Sequence, residues 1–439
     1  MKPAKHRNRI QHTTLSTALA LGLAVAPGAH AVELDYEISA GVIHNSNIIL
    51  SETEEISETT IAPGIDFTLT HEGRSVDLVG RGNARYLYYT GDTFDNEVRG
   101  EFSGHMRWRM LPERLDFVVE DYLSQQPVDI LSPVTPSNAQ QVNILIGGPS
   151  LYLNLSDRTR AQFDARYSRS EAEETSEFDA DRVNAAARVL HELGPTTRTS
   201  LNVESNRIRF DQAGVASDYD RLDGYVNFQR NLRQLDFSVD LGYSTLDIVD
   251  GDSYSSPLGR ASLGWRFSPE TSINAQASYQ FSDTAQSLSS TPVDPDVPIG
   301  TDIDVSGVIV SSDPYEQRRL DLGFSHSGPR HGVDASAWYE RSEYVEEDDF
   351  DNTNSGAAFA YTFRINPLLD LVASVDHQRR DFTVTSRLDK DTNFGVGLAK
   401  RFTRHWSARL DLRRRSRDSS VQGFSYDDNA VTVSLVYRR

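Results

Sequence analysis

From Leu235 to Tyr243 the chain alternates without a break. Leu235, Phe237, Val239, Leu241 and Tyr243 fall on one set of positions, and Asp236, Ser238, Asp240 and Gly242 on the other. Successive side chains of a β-strand point to opposite faces, so such a segment has one apolar and one polar face. Runs of about ten residues of this kind recur along the chain with turn residues between them. Repeated around a closed sheet, the pattern specifies an all-β protein: a transmembrane antiparallel up-and-down β-barrel, apolar outside and wet inside.

The connections between runs alternate in kind. Short ones carry turn chemistry: Glu72-Gly73-Arg74, Pro112-Glu113, Asp157-Arg158, Gly194-Pro195-Thr196, Leu232-Arg233, Pro269-Glu270, Gly328-Pro329-Arg330, Asn366-Pro367 and Thr403-Arg404. Longer polar or acidic ones lie between them, including Asn45–Glu58, Ser124–Ala139 and Thr284–Pro314. About twenty strands are expected, with eighteen as the alternative. They start near Glu33, Thr59, Ser75, Asn96, Arg114, Gln140, Thr159, Phe178, Thr197 and Asp218, then near Gln234, Ser253, Thr271, Tyr315, His331, Asp351, Leu369, Asp389, His405 and Phe424. Short turns on the periplasmic side and longer extracellular loops are the asymmetry of outer-membrane barrels. An even strand count with a periplasmic N-terminus puts every short turn on that side.

Composition agrees. Only 38% of the 439 residues are hydrophobic and mean hydropathy is -0.49, poor for a dry core of this size but suited to a wide barrel. After residue 31 no run of about 20 apolar residues remains to make a helical span. Residues 1–31 read as a secretory signal: Lys2, Lys5, Arg7 and Arg9, an apolar run from Leu15 to Ala26, and Ala29-His30-Ala31 before the expected cleavage. Residues 32–439 are then the barrel. There is no cysteine, which excludes disulfides, thiolate chemistry and a lipidated N-terminus. The formal net charge is -20, and residues 1–31 hold four Lys/Arg and no acid, so the remainder carries -24. Nucleic acid is an unsuitable partner for such a chain.

Aromatic residues gather near strand ends: Tyr86, Tyr88, Trp108, Tyr167, Tyr243, Trp265, Phe267, Phe281, Tyr339, Phe363, Phe402 and Trp406. They are expected to form girdles at the two membrane–water boundaries. The final strand alternates Val431, Val433, Leu435 and Tyr437. It is similar to the C-terminal signal read by barrel-insertion machinery, although Arg438 and Arg439 follow the aromatic residue.

Assigning the polar face to the lumen makes arginine its dominant charge. The lumen-lining candidates are Arg81, Arg85, Arg99, Arg107, Arg109, Arg160, Arg166, Arg260, Arg266, Arg401, Arg409 and Arg413. The acid is then expected largely in loops such as Glu52–Glu58, Glu171–Glu177 and Glu346–Asp351. A guanidinium-lined channel favours anionic or hydroxyl-rich solutes. The alternative is structural, with arginines and carboxylates of neighbouring strands pairing across the wall. The acidic loops are either solvated or bridged by divalent cations to phosphorylated lipid. The longest connection, Thr284–Pro314, carries the apolar piece Val305–Val310. It is expected to be a constriction in the lumen, with a surface projection as the alternative.

Enzyme signatures are absent: no Gly-x-Ser-x-Gly, no His-Glu-x-x-His and no phosphate-binding glycine loop. His44, His71, His105, His191, His326, His331, His377 and His405 are dispersed. No cofactor or catalytic residue is expected. With Ala40-Gly41-Val42-Ile43-His44-Asn45-Ser46-Asn47 at the first strand-to-loop junction, Leu111-Pro112-Glu113-Arg114-Leu115 at a turn, and the hairpin ladder, the chain resembles the β-barrel porins that accompany exopolysaccharide or exosortase (PEP-CTERM) systems of Gram-negative bacteria. That resemblance implies an outer-membrane location and a part in passing or assembling surface polysaccharide. Its implied partners are outer-membrane lipid and lipopolysaccharide, the insertion machinery, and polysaccharide-export components. A passive channel is the reading adopted. An outer-membrane hydrolase and a closed structural or adhesive barrel are the alternatives.

Overall fold

The computed structural model describes residues 32–212, 216–290, 308–346 and 348–439; residues 1–31, read above as a signal, lie outside them. The first ten strands are β1 (Glu33–Asn45), β2 (Glu58–Glu72), β3 (Val76–Tyr89), β4 (Glu97–Leu111), β5 (Leu115–Gln126), β6 (Gln140–Ser156), β7 (Thr159–Ala172), β8 (Ala180–Gly194), β9 (Thr197–Phe210) and β10 (Tyr219–Asn231). The second ten are β11 (Leu235–Ile248), β12 (Ser253–Ser268), β13 (Thr271–Ser282), β14 (Tyr315–Ser327), β15 (His331–Tyr344), β16 (Asn352–Asn366), β17 (Leu369–Phe382), β18 (Arg387–Arg401), β19 (Trp406–Ser419) and β20 (Tyr426–Arg438). Every start lies within two residues of the expected position. One short helix, α1 (Thr284–Ser290), interrupts the connection between β13 and β14.

Each strand pairs antiparallel with its sequence neighbours, and β1 pairs with β20 from Glu37↔Arg438 to Asn45↔Ala430. The sheet is therefore a closed up-and-down barrel of twenty strands with no free edge. Strands about 4.8 Å apart and tilted about 40° give a backbone diameter of roughly 40 Å. Nine connections at one end have two to four residues, and those at the other end have four or more. The start of β1 and the end of β20 lie at the turn end, where Arg439 N–H donates to Tyr36 O at 3.0 Å.

The closing seam has a clasp at the loop end. Asp428 on β20 accepts the Asn47 N–H and the Asn45 amide, both at 3.0 Å, and the Arg415 guanidinium at 2.9 Å. Asn47 also bonds the carbonyls of Ser51 and Asp427 and accepts the Ser51 N–H. The Asn45-Ser46-Asn47 segment thus ties the first strand to the last, and Asn47 and Asp428 are fully buried.

Register assigns the two faces. Leu241 (66% exposed), Leu201 (59%) and Val433 (53%) belong to a continuous outward set that includes Leu34, Ile38, Leu153, Val226, Leu322 and Phe359. An exposed apolar surface wrapped round a whole molecule far exceeds the few hundred Å² found on soluble monomers. On β11 it runs from Leu235 to Tyr243, which on a tilted strand rises roughly 20 Å, close to the apolar band of a membrane barrel. Beyond it, towards the loops, the outward face turns ionic: Arg169 is paired with Asp211 and Asp181, Arg209 with Asp220, and Arg318 with Glu343.

The inward face departs from expectation in one respect. It is polar over the turn half, and at the loop end apolar side chains join the polar ones: Ile43, Ile208, Phe210, Leu246, Ile248 and Phe382 take inward positions there and are buried. Phe281, expected in a girdle, is buried in one of these interior clusters with Ile208, Leu246 and Ile248. At that level the wall packs against loop segments folded into the barrel, so these apolar side chains meet hydrocarbon rather than water. β10 shows the gradient. Tyr219, Arg221, Asp223 and Tyr225 are buried, Asn227 and Gln229 are half-buried, and Asn231 at the turn is exposed.

Candidate pore and its constriction

All twelve candidate arginines occupy inward register positions. They are spread round the wall, and most are engaged by carboxylates on the same or a neighbouring strand. Arg85 lies 3.8 Å from Asp66, Arg99 2.7 Å from Glu97, and Arg107 donates to Asp116 at 2.7 Å. Arg109 pairs with Asp77 and also donates to the carbonyls of Gly73 and Arg74. Arg166 lies 3.5 Å from Asp164, Arg260 3.6 Å from Asp240, Arg266 3.0 Å from Asp236 and Arg401 3.7 Å from Asp370. Arg160 lies over the Tyr152 ring, and Arg413 is flanked on β18 and β20 by Gly395 and Ala430. Among the described residues Arg81 and Arg409 have no ion pair or hydrogen bond.

The inner wall is therefore a mixed ionic surface. Carboxylates alternate with guanidiniums on it, and the acid is not confined to the loops as expected. Such pairs are worth about 0.2–1 kcal/mol each, so their main effect is to hold side chains against the wall and keep the bore clear. The chain has only four lysines, and the two in the barrel, Lys390 and Lys400, sit on the outward face. Among the described residues every inward residue of the Lys/Arg pair is thus an arginine, whose planar fork bonds carboxylates and hydroxyls in fixed geometry.

The bore narrows where the β13–β14 connection enters it. Ala285 and Leu288 of α1 pack with Val142 and Ile144 of β6, Phe178 and Val310. Contacts also join α1 to β5, eight strands round the wall from β13. In a closed barrel such elements meet only through the interior. Val308 and Val310 belong to the cluster on the β6 side, while Ile309 packs with Ile130 and with Phe382 of β17 on the far wall. Residues 308–310 therefore lie inside the barrel, Val308 and Val310 in one interior cluster and Ile309 in another. The expected constriction is borne by these described parts of the connection; residues 291–307, including Val305, lie outside them.

An ionic latch holds the root of α1. Asp283 accepts the Tyr219 hydroxyl at 3.0 Å and the Gln286 N–H at 2.9 Å, capping the helix. Burial alone would raise its carboxyl, but the guanidiniums of Arg182 and Arg221, the Gln286 N–H and the Tyr219 hydroxyl outweigh it and hold the group below the ordinary carboxylate value. Arg221 also donates to Phe281 O at 3.1 Å and pairs with Asp223 at 3.2 Å. Thr284 Oγ1 lies 2.9 Å from Ile309 O and accepts the Ser311 N–H at 3.2 Å, joining the two ends of the connection. The sequence reading missed Tyr219, Arg221 and Asp283. The alternation Tyr219-x-Arg221-x-Asp223 marks the inward face, but nothing local says that Asp283 meets it.

The histidines are not brought together. His44, His191, His326 and His377 each contact a threonine of the neighbouring strand, at 2.8–3.0 Å. His331 meets the Tyr361 hydroxyl, and His105 meets Glu120. Among the described residues no three His, Asp or Glu side chains are grouped to hold a metal. No described helix is long and apolar enough to cross a membrane.

Residues 352–439, which form β16 to β20, match a family model described as "Putative beta-barrel porin 2". No curated protein matches the chain. Among solved structures it is similar to the FrpB iron transporter from Neisseria meningitidis (F5-1 variant), at 8% identity and a TM-score of 0.45, over 93% of this chain and 83% of that one. It is also similar to Pseudomonas aeruginosa OccK2 (OpdF) in complex with glucuronate, at 10% identity and a TM-score of 0.39, over 93% and 98%. A BenF-like porin from Pseudomonas fluorescens Pf-5 matches at 9% identity and a TM-score of 0.38, over 93% and 99%.

Proposed function

We propose that this chain is an outer-membrane channel, not an enzyme, through which small hydrophilic solutes diffuse and whose loop end is narrowed by the α1 connection. The observation that carries the reading is the pairing of a closed barrel and an apolar outer band with an inner wall of arginine–carboxylate pairs. Such a wall keeps water in the bore and offers donors to hydroxyl-rich and acidic solutes. Saccharides, including units of surface or exopolysaccharide, suit that chemistry, and the resemblance of the hairpin ladder to polysaccharide-associated porins supports it. Lipopolysaccharide is the proposed neighbour of the outward ionic collar at Arg169, Arg209 and Arg318. The outward Val431, Val433, Leu435 and Tyr437 of β20 suit recognition during insertion. Reconstitution into planar bilayers tests the channel reading: stepwise conductance is expected. A folded barrel that stays silent, with or without the connection from 284 to 314, contradicts it in favour of a structural barrel.

A further inference from the structure

The wall is not equally zipped at the loop end. At every seam but two, the ladder runs to the last loop-end residue of at least one of its strands. The β4–β5 ladder stops at Phe102↔Leu123, and the register does not continue to residues 97–101 of β4 and 124–126 of β5. The β12–β13 ladder stops at Gly259↔Tyr279, short of residues 253–258 and 280–282. Pro257, with no N–H to give a rung, lies in the first of these stretches.

Both β5 and β13 turn into the barrel beyond these points. On β13 the outward parity of Ile273, Ala275, Ala277 and Tyr279 would carry Phe281 outside, yet Phe281 is buried with Ile208, Leu246 and Ile248. On β5 the parity of Phe117 and Val119 would place Leu123 and Gln125 outside, yet both are buried, and neither atom of the Gln125 amide has a hydrogen bond. In each slot a side chain reaches past the retracted strand. Gln141 of β6 donates to Gly100 O of β4 at 3.3 Å, and Ser256 of β12 donates to Glu316 of β14 at 2.8 Å.

The slots divide the rim into two arcs. One is β5 to β12; the other is β13 to β20 with β1 to β4. The α1 connection leaves the second arc at β13 and docks on the first. It packs on Val142 and Ile144 of β6, touches β5, and is latched to Tyr219 of β10 through Asp283. Resting on the channel reading, we infer that α1 staples these two arcs together, and that the rim parts along both slots when α1 undocks. Opening then widens the mouth as well as clearing the bore. Parting anywhere else breaks a backbone ladder, whereas parting at the slots breaks side-chain bonds.

The test is the distance between paired spin labels on the folded full-length barrel in detergent micelles, measured by double electron–electron resonance. The chain has no cysteine, so labels attach only at the introduced ones. Val98→Cys with Val183→Cys spans the β4–β5 slot, and Ser255→Cys with Tyr339→Cys spans the β12–β13 slot; all four positions are exposed. Val183→Cys with Ser255→Cys lies within one arc. In the Asp283→Ala/Leu288→Asp background, both cross-slot pairs are expected to gain a population at least 5 Å longer than in the wild type, and the within-arc pair to stay unchanged. Heat-dependent gel mobility verifies folding, and Leu288→Asp alone carries the same expectation if the double variant does not fold. Unchanged cross-slot distances, or an equal lengthening of the within-arc pair, overturns the two-arc rim. Arcs that part in a barrel that never conducts would instead contradict the channel reading and leave the rim inference standing.

Discussion

Replacing Asp283 with alanine should open the pore. The carboxylate caps α1, accepts the Tyr219 hydroxyl and offsets Arg182 and Arg221, with Asp283, Tyr219 and Arg221 all buried. Removing one member of such a buried ionic group costs about 3–5 kcal/mol, because the remaining charges lose their counterion while still desolvated. The barrel wall does not depend on α1, so the cost falls on docking of the constriction. At about 1.4 kcal/mol per decade, the undocked fraction rises roughly 100-fold or more. Ala285 and Leu288 still favour docking through a few kcal/mol of apolar burial, so the variant should flicker rather than stay open. Single-channel recording reads this directly as open probability, with wild type and variant compared at the same voltage and salt. A variant that folds and inserts normally but shows unchanged open probability would refute the latch.

Other outcomes follow from the same geometry. Leu288→Asp places a charge against Val142, Ile144 and Phe178 and should also release the constriction, leaving the barrel's far-UV circular dichroism unchanged. Acidification should act like Asp283→Ala. The Asp283 carboxyl is depressed in the docked state, so its contribution is complete above about pH 4 and is lost as pH falls through the lowered value. Wild-type open probability should therefore rise only below about pH 4, and the Asp283→Ala variant should lack this rise. Asp428→Ala leaves Arg415, Asn45 and the Asn47 N–H without their acceptor at the seam and should destabilise the barrel by about 3 kcal/mol. Denaturant unfolding monitored by tryptophan fluorescence checks this, with Asp428→Asn expected to lie between wild type and alanine.

The wall was legible because local rules determine it. Strand alternation is a property of the backbone, and turns such as Glu72-Gly73-Arg74 and Asn366-Pro367 announce themselves by residue type. The inward placement of Arg81 to Arg413 follows from the same parity. What parity cannot give is the environment of an inward side chain. Leu246 and Ile248 continue the inward positions of Asp240 and Ser244, yet they are buried because Phe281 and the walls of β8 to β10 meet them there. That depends on where the β13–β14 connection folds, a long-range fact with no local signature. Asp283 is illegible for the same reason: its partners lie about 60 to 100 residues earlier. The Asn45-Ser46-Asn47 segment was noticed as a motif, but its role as the seam clasp needed β20 beside β1.

The central claim is that one face of every strand touches acyl chains and the other an enclosed aqueous bore. The four tryptophans test it, since Trp108, Trp265 and Trp406 are outward and Trp338 is inward, its indole lying across Gly356. Single-tryptophan variants reconstituted in vesicles of lipids brominated on the acyl chains should show strong quenching for the three outward residues and little for Trp338. Equal quenching of all four, or of none, would contradict the account.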